Sequence, residues 1–270
     1  MAQPVVLKLG GELLESAEAT RAMAEAIVRA AGSVPLAVVH GGGREIDAAL
    51  AKAGIARQQV DGLRVTDHAT LDIVVAVMAG AINTRFVAAI NAAGGRAVGL
   101  TGADAAVAPV EQAPPFTSVA GQTVSLGLVG QPVHDGTPHL LAHLLAGGYV
   151  PVIATIGADA DGQLYNVNAD TMAAAVAFRI GAARLVIGGT TPGVLDEQNR
   201  TIASLDRAAQ AALITGGTVN RGMLAKLQAC RAALDGGVAD VAITDGRDAA
   251  RLCAMLTGEG AAPDATTRVL

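Results

Sequence analysis

The chain has 270 residues, 51% of them apolar but only 2% aromatic, so alanine and aliphatic side chains must form its core. This length accommodates one large α/β domain or two closely packed lobes. The net charge of −5 comes without a basic cluster or an aromatic stacking surface, so nucleic acid is not an expected partner. The sequence shows neither a run of about 20 uninterrupted apolar residues nor a secretory leader. We therefore expect a cytoplasmic protein without a membrane partner.

Two residue types are scarce enough to be informative. The two cysteines are too few and too far apart for a disulfide framework or a metal cluster, so we expect reduced thiols at Cys230 and Cys253. Only three of the 19 basic residues are lysine. Lys52 lies at a predicted helix end, where a cation suits the helix dipole, whereas Lys8 and Lys226 lie within glycine-containing motifs. These two lysines are candidate functional residues.

Short apolar strands alternate with longer helical segments from the N-terminus onward. Val5–Leu9 and Leu36–Val39 are predicted strands, and residues 16–31, 45–53 and 69–93 have helical periodicity. Such an alternation predicts a parallel sheet with helices on both faces. The expected fold class is α/β, a three-layer αβα sandwich with a mainly parallel open sheet.

Residues 104–134 interrupt this alternation, because prolines and glycines separate short β-type runs there. We predict an antiparallel hairpin excursion from the main sheet. Helices are then predicted at residues 169–180, near residues 204–213 and near residues 223–234. With no recognisable linker or repeat, residues 1–270 are predicted to form a single domain. Its N-terminal lobe would span about 1–180 and its C-terminal lobe about 181–270.

The first glycine turn follows a lysine. Lys8 lies in an apolar strand just before Gly10 and Gly11, and burying an unpaired ammonium group is costly. An isolated lysine of this kind is most often an edge-strand residue that reaches solvent. The two glycines favour a different interpretation, since residues without a Cβ at the carboxyl end of a parallel strand let backbone amides approach a phosphate.

A second glycine turn follows the next strand, where His40 precedes Gly41, Gly42 and Gly43. Three glycines between a strand and a helix can bind an anion at the helix N-terminus. Glycine is also common in tight turns for steric reasons, but two such turns on neighbouring strands, one beside a lysine, favour phosphoryl handling. Neither turn matches the Walker or the dinucleotide-binding pattern. His40 is expected to be a packed or hydrogen-bonded residue and not a general base.

Further motifs carry polar side chains suited to a small ligand. Arg64 offers a planar guanidinium group that fits a carboxylate, although an ion pair with a neighbouring aspartate explains it equally well. Asn166, Asn168 and Asp170 lead into a predicted helix. One such residue can be only a helix cap, but three exceed what capping needs, so a ligand role is favoured. Lys226 lies in the first turns of a helix, where cations are disfavoured, which indicates a nearby anion.

These motifs, in this order, resemble those of the amino-acid kinase family and, within it, the acetylglutamate kinase branch. The matching segments are LKLGGELL, VVHGGGREID, DGLRVTD, QLYNVNADTMAAAVA and GMLAKLQAC. The resemblance implies the amino-acid kinase fold and transfer of the γ-phosphate of ATP, with Mg2+, to the side-chain carboxylate of N-acetyl-L-glutamate in arginine biosynthesis. The alternatives are a kinase for another N-acylated amino acid, of the aminoadipate type, and a non-catalytic amino-acid-binding regulatory homologue.

The resemblance also implies roles for individual residues. Lys8 and Lys226 would neutralise the transferred phosphoryl group from opposite sides, and Asp170 would hold both ammonium groups. No protein base is required, because the attacking carboxylate is ionised at neutral pH. Arg64 and Asn166 would contact the α-carboxylate of the acceptor. The implied acceptor-binding residues are Gly11, Gly42, Gly43, Arg64, Asn166 and Asn168.

Two departures from the family pattern fall in the implied nucleotide-binding half. Thr190 stands where the family usually has an aspartate, and Asn220-Arg221 stands where it often has Thr-Asp. Arg221 either meets a phosphate or marks an altered ATP site. Magnesium would be held mostly by the nucleotide, without a predicted protein ligand. The implied nucleotide-binding residues are Gly10, Thr190, Thr191, Gly193, Leu195, Thr218, Asn220 and Met223.

The resemblance extends to quaternary structure. The arginine-inhibited hexamers of the family carry an additional N-terminal helix, whereas this sequence starts almost directly with its first predicted strand. A homodimer insensitive to arginine is therefore implied, with the long helix around residues 71–93 as its interface.

Overall fold

The computed structural model describes residues 2–118, 120–133, 138–215, 219, 221–259 and 265–270. Its helices are α1 (Ala17–Ala31), α2 (Gly43–Lys52), α3 (His68–Val75), α4 (Asn83–Ala92), α5 (His139–Ala146), α6 (Ala169–Arg179), α7 (Arg207–Thr215), α8 (Arg221–Asp235) and α9 (Ala249–Thr257). Short 3₁₀ helices lie at Gly11–Leu13 and Asp104–Ala106, and a π-helical segment, Ala76–Ile82, joins α3 to α4. Its strands are β1 (Val5–Leu9), β2 (Leu36–His40), β3 (Gln59–Val60), β4 (Leu63–Arg64), β5 (Ala97–Thr101), β6 (Val110–Gln112), β7 (Phe116–Thr117), β8 (Thr123–Val124), β9 (Val129–Pro132), β10 (Val150–Ala154), β11 (Ile156–Ala158), β12 (Leu164–Val167), β13 (Arg184–Gly189), β14 (Ser204–Leu205), β15 (Asp240–Asp245) and β16 (Thr266–Val269).

Eight strands form one sheet in the order β14, β16, β15, β13, β1, β2, β10, β5. Every neighbouring pair is parallel except β15 and β16. Alternate residues of the central strand β1 face opposite sides, because side chains alternate along a strand. Val6 packs in one core, and Val5, Leu7 and Leu9 pack in the other. Helices cover both faces of the sheet, so the predicted α/β sandwich with a mainly parallel sheet is confirmed.

The two cores are built mainly from aliphatic side chains, as the low aromatic content predicts. The first core lies between the sheet and α5, α6 and α8, and it includes Met172 and Leu227. The second lies between the sheet and α1, α4 and α9, and it includes Ile27 and Phe86. Cys230 is buried in the first core, where burial raises the pKa of its thiol. Both cysteines are free, as expected for reduced thiols.

The described residues between 104 and 133 leave the main sheet, as predicted. β6 pairs antiparallel with β9, and β7 pairs antiparallel with β8. β9 also pairs in parallel with β12, which pairs antiparallel with β11, so these strands form a second sheet in the order β11, β12, β9, β6. Because β12 leads directly into α6, this second sheet positions the residues that begin α6.

The predicted long helix is present as the continuous stretch α3, π-helical segment and α4, from His68 to Ala92. Met78, Ile82 and Phe86 pack on the main sheet in the second core. By length and hydropathy this stretch could cross a membrane, although one such helix is only a weak indication. Only 33% of its most apolar window is buried, so much of an apolar helix faces outward.

Candidate active site

Two lysines and one aspartate meet at the carboxyl end of the central strand. Lys8, the fourth residue of β1, places its Nζ 2.8 Å from Asp170 Oδ1. Lys226, in the second turn of α8, places its Nζ 3.5 Å from Asp170 Oδ2. The side chains of Lys8 and Asp170 are 6% exposed and that of Lys226 is 19% exposed. One carboxylate in the first turn of α6 therefore bridges two ammonium groups from a strand and a second helix.

This arrangement shows that the charge of the buried Lys8 ammonium group is balanced by Asp170. β1 lies between β13 and β2 inside the main sheet, so the interpretation of Lys8 as an edge-strand lysine that reaches solvent is wrong. Burial alone would raise the pKa of the Asp170 carboxyl, but the neighbouring ammonium groups outweigh burial and hold that pKa below its usual value. With Asp170 ionised, Lys8, Lys226 and Asp170 together carry one net positive charge in a site largely shielded from solvent. Such a place attracts an anion.

The two glycine turns lie against each other beside Lys8, because β1 and β2 are parallel neighbours in register. A Cβ on Gly11 would lie 2.6 Å from Gly42 Cα, so only glycine fits at Gly11 in this packing. Gly42 precedes the first residue of α2 without a side-chain cap. The first backbone N–H groups of α2 are thus directed to the site, as an anion-binding helix N-terminus requires.

His40 lies fully buried beneath the second turn. Its Nδ1 is 3.2 Å from the Gly41 carbonyl oxygen, and its Nε2 is 3.0 Å from Asn83 Nδ2. The Asn83 amide also donates to the Val152 carbonyl oxygen at 2.9 Å. Burial lowers the pKa of His40 to about 4, so the imidazole is neutral, with Nδ1–H donating to Gly41 and Nε2 accepting from Asn83. The prediction that His40 is a packed, hydrogen-bonded residue is confirmed.

A cleft of about 260 Å³ opens beside Lys8 and Asp170. The second glycine turn forms part of its wall. Seven residues predicted from the sequence line it: Lys8, Gly42, Gly43, Arg64, Asn166, Asn168 and Asp170. Sequence analysis missed other lining residues, among them Gln59, Leu63, Met78, Val129 and Thr155. A polar residue directly after an apolar strand could have pointed to Thr155, which follows β10.

Arg64 reaches the cleft from the β3–β4 hairpin. Its Nη2 donates to Asp47 Oδ1 at 2.5 Å and to the Gly43 carbonyl oxygen at 3.3 Å. The ion pair anticipated for Arg64 therefore exists, but with Asp47 of α2 and in a side chain only 9% exposed. Arg64 Nη1 is buried and has no hydrogen-bond partner among the described residues. A buried donor without an acceptor is costly, and a ligand carboxylate in the cleft would satisfy it.

The two asparagines have different partners. Asn168 Oδ1 accepts hydrogen bonds from the backbone N–H groups of Asp170 and Thr171, at 2.9 and 3.1 Å, and so caps α6. Asn166 Nδ2 donates to Thr66 Oγ1 at 3.3 Å. Asn168 thus has the capping role that the sequence allowed, in addition to its place on the cleft wall. That cap fixes the first turn of α6 and, with it, the position of Asp170.

The residues implied for nucleotide binding lie elsewhere. Thr190 and Thr191 follow β13, and Leu195 forms a bridge to Thr201. Gly193 has a φ of +93°, and a Cβ there would lie 2.5 Å from Thr267 Oγ1. Met223 is buried in the first core.

None of these residues lines the cleft described above. Thr218 and Asn220 lie outside the described residues. Gly10 follows β1, and the side chain of Glu12 lies directly over it. Among the catalytic and acceptor-binding predictions, Lys226 and Gly11 do not line the cleft, although Lys226 contacts Asp170 and Gly11 packs on Gly42. The roles of all these residues, and the implied nucleotide contacts, stay predictions.

An open, mainly parallel sheet with a positively charged cleft at the carboxyl ends of its strands is the arrangement typical of α/β proteins that bind phosphate-containing ligands. Residues 3–245 match the family model described as "Amino acid kinase family". An acetylglutamate kinase of Sphingopyxis alaskensis is 42% identical over 267 residues, which cover 96% of this chain and 87% of the relative. An acetylglutamate kinase of Solibacter usitatus is 42% identical over 257 residues, covering 94% and 96%. The chain belongs to the amino acid kinase family, which confirms the resemblance inferred from its motifs.

Solved structures show the same fold. N-acetylglutamate synthase from Neisseria gonorrhoeae, complexed with coenzyme A and N-acetyl-glutamate, superposes with a TM-score of 0.79 at 23% identity. That match covers 99% of this chain but only 59% of the synthase. Carbamate kinase from Giardia lamblia bound to AMP-PNP gives a TM-score of 0.70 at 14% identity, covering 100% and 98%. Identities this low support the fold alone, and the expected amino-acid kinase fold is confirmed.

Gly11→Ala is expected to destabilise the protein, because its Cβ would press on the backbone of Gly42, which cannot rotate away. Overpacking of this kind costs about 1–3 kcal/mol. Gly43→Ala is the matched control, since a Cβ there meets nothing within 4 Å and alanine favours the helix that begins at Gly43. Urea denaturation should give a lower midpoint for G11A and an unchanged or higher one for G43A. A native midpoint for G11A would mean that the two turns are not packed against each other.

Proposed function

We propose that the protein transfers the γ-phosphate of ATP to the side-chain carboxylate of N-acetyl-L-glutamate, forming N-acetyl-L-glutamyl 5-phosphate in arginine biosynthesis. Identity of 42% to acetylglutamate kinases over nearly the whole chain supports this substrate. The structural observation that carries the proposal is the bridging of Lys8 and Lys226 by Asp170 beside a cleft with a glycine wall.

The three charged residues suit the demands of phosphoryl transfer. The transition state spreads negative charge over the equatorial oxygens of the phosphoryl group. Cations positioned at these oxygens therefore supply most of the catalysis. Lys8 and Lys226 reach Asp170 from a strand and a helix, and their ammonium groups would contact the phosphoryl group from two sides. Asp170 would hold both lysines in position. Because the acceptor carboxylate is already ionised at neutral pH, no side chain has to remove a proton.

The acceptor would occupy the cleft lined by the second glycine turn. The backbone N–H groups at the start of α2 would bind its reacting carboxylate, and the unpartnered Nη1 of Arg64 would bind its α-carboxylate together with Asn166. Every residue that lines this cleft precedes residue 171. This supports an acceptor-binding lobe of about 1–180, and the nucleotide is assigned to the lobe of about 181–270.

Magnesium would enter with ATP. The described residues contain no group of three or more His, Cys, Asp or Glu side chains that could hold a metal ion. An Mg2+ ion that accompanies a nucleotide is bound chiefly by phosphate and water oxygens, with one or two protein carboxylates. When bound, the ion would neutralise phosphate charge.

An acceptor panel tests the substrate assignment. With ATP, Mg2+ and hydroxylamine, N-acetyl-L-glutamate should yield a hydroxamate, because hydroxylamine traps acyl phosphates. N-acetyl-L-aminoadipate is one methylene longer. Its kcat/KM should be lower by at least about tenfold, since a hydrophobic pocket discriminates against an extra methylene by that factor or more. Preference for aminoadipate would replace the proposed substrate. Absence of hydroxamate with every acceptor would favour a non-catalytic binding protein.

Lys8→Ala and Lys226→Ala should each lower kcat by about a hundredfold or more, the loss expected for one preorganised charge contact. Lys52→Ala is the matched control, because Lys52 is the third lysine of the chain and lies exposed in the last turn of α2. Its kcat should stay native. Turnover in the hydroxamate assay close to native for both K8A and K226A would contradict the roles assigned to the two lysines.

We propose further that two copies pair through the outer face of the helical stretch His68–Ala92. This stretch is strongly apolar, yet only a third of its most apolar window is buried. Large exposed apolar surfaces mark interaction sites. β5, which follows this stretch, is the last strand at one edge of the main sheet, so a second copy placed there would cover both features.

Ala81→Glu should disrupt this pairing, since Ala81 is exposed within the π-helical segment and a buried carboxylate without a partner is costly. Light scattering after size exclusion should give twice the chain mass of 26.8 kDa for the native protein and a single chain mass for A81E. Ala51→Glu, at an exposed alanine of α2, is the control and should remain paired. A native protein of single chain mass, or an A81E dimer, would rule out this interface.

A further inference from the structure

Glu12 places a carboxylate over the carboxyl ends of two neighbouring strands. Gly10 follows β1, and a Cβ on Gly10 would lie 2.5 Å from Glu12 Cδ, so the acid occupies the space that Gly10 leaves empty. Glu12 Oε1 is also 3.8 Å from the position that a Cβ on Gly189, the last residue of β13, would take. Lys226 Cε is 3.8 Å from that same position. Glu12 and Lys226 therefore both lie against Gly189, on the β13 side of Lys8.

Glu12 differs from the nearby acidic residues in lacking an ion-pair partner among the described residues. Asp170 is bridged by two lysines, and Glu15, three residues further along, pairs with Arg44 at 3.1 Å. Glu12 is half-buried, and its carboxylate makes no ion pair or hydrogen bond with another described residue. A half-buried carboxylate without a partner, held over two glycines, is left unexplained by packing or by the roles proposed above.

The position of Glu12 matters for the nucleotide. The acceptor cleft lies on the β2 side of the lysine pair, where the second glycine turn forms its wall. In-line transfer requires the leaving group opposite the acceptor, so the remaining phosphates must pass on the β13 side, beside Glu12. A carboxylate there repels a bare triphosphate. A divalent cation bound between the carboxylate and the phosphates would convert this repulsion into attraction.

We propose that Glu12 is the protein's carboxylate ligand, directly or through one water molecule, to the Mg2+ that accompanies the nucleotide phosphates. Carboxylate, phosphate and water oxygens are the ligands that Mg2+ prefers, and one carboxylate per ion is typical of nucleotide sites. Glu12 then makes the protein select MgATP over metal-free ATP. The inference rests on the proposed function, because it requires ATP at this edge of the sheet.

Calorimetric titration of the 270-residue chain tests this selection without turnover. Native protein, Glu12→Gln and Glu15→Gln are each titrated with MgATP and with ATP in EDTA, in the absence of an acceptor. E12Q keeps the shape of the side chain and removes its charge. Its affinity for MgATP should fall about tenfold, in line with the loss of one group that supports a metal. Its affinity for metal-free ATP should stay the same or rise, because the repulsion is gone. E15Q should keep the native ratio of the two affinities.

Manganese supplies a readout that a purely structural role would not change. Electron paramagnetic resonance of Mn2+ with ATP and native protein should give a bound spectrum that E12Q alters and E15Q preserves. An E12Q variant whose ratio of MgATP affinity to ATP affinity stays native, whether both affinities are unchanged or both fall by the same factor, would overturn the assignment of Glu12. If the native protein binds neither MgATP nor ATP, the proposed kinase function itself fails. If the native protein binds MgATP and only the E12Q result is contrary, the assignment of Glu12 alone fails. Native-like thermal unfolding of E12Q shows that the measured loss belongs to the site.

Discussion

The bridge from Asp170 to Lys8 and Lys226 is the interaction on which the rest of the site depends. Each partner comes from a different element: Lys8 from β1, Asp170 from α6 and Lys226 from α8. Without the carboxylate, two ammonium groups would repel each other in a shielded place, at a cost well above that of a surface ion pair. The fold therefore has to hold three elements in one arrangement before any substrate binds. The Asn168 cap at the start of α6 contributes directly to that arrangement.

The unusual composition of the chain is connected to this requirement. Helices approach closely where their contacting residues are small, and buried alanines lie on both α6 and α8, among them Ala173, Ala177, Ala229 and Ala233. Larger side chains at these positions would move α8 away from α6 and lengthen the contact between Lys226 and Asp170. A core rich in alanine and poor in aromatic residues thus allows a charged contact between two helices. Composition, helix packing and site geometry are linked in this part of the molecule.

Local sequence features predicted the sheet and the charged residues, asparagines and glycines that line the cleft, because these features have local causes. Apolar runs followed by glycine identified β1 and β2, and a lysine inside such a run required either an exit to solvent or an anionic partner. Contacts between distant segments were not predictable in this way. Arg64 pairs with Asp47, an acid 17 positions away on a helix, which nothing in the DGLRVTD motif indicates. Ser204–Leu205, expected within a helix, instead form β14, because β16 offers a parallel partner that only the folded chain provides. The position of the Glu12 carboxylate, over Gly10 and beside Gly189, is equally hidden from sequence.

The two lysine contacts are unequal, and the inequality fits the chemistry. Lys8 lies 2.8 Å from Asp170 and is 6% exposed, whereas Lys226 lies 3.5 Å away and is 19% exposed. A lysine locked in the central strand can serve as a fixed point of charge. The more loosely held lysine on α8 can shift from Asp170 to phosphoryl oxygens at little cost as negative charge develops on them. Only interactions that strengthen in the transition state accelerate the reaction, so a cation partly neutralised by Asp170 in the resting protein is well placed to contribute to turnover. If Glu12 holds the metal as proposed, the metal and Lys226 would contact one side of the transferring group, and Lys8 and the glycine turns would contact the other.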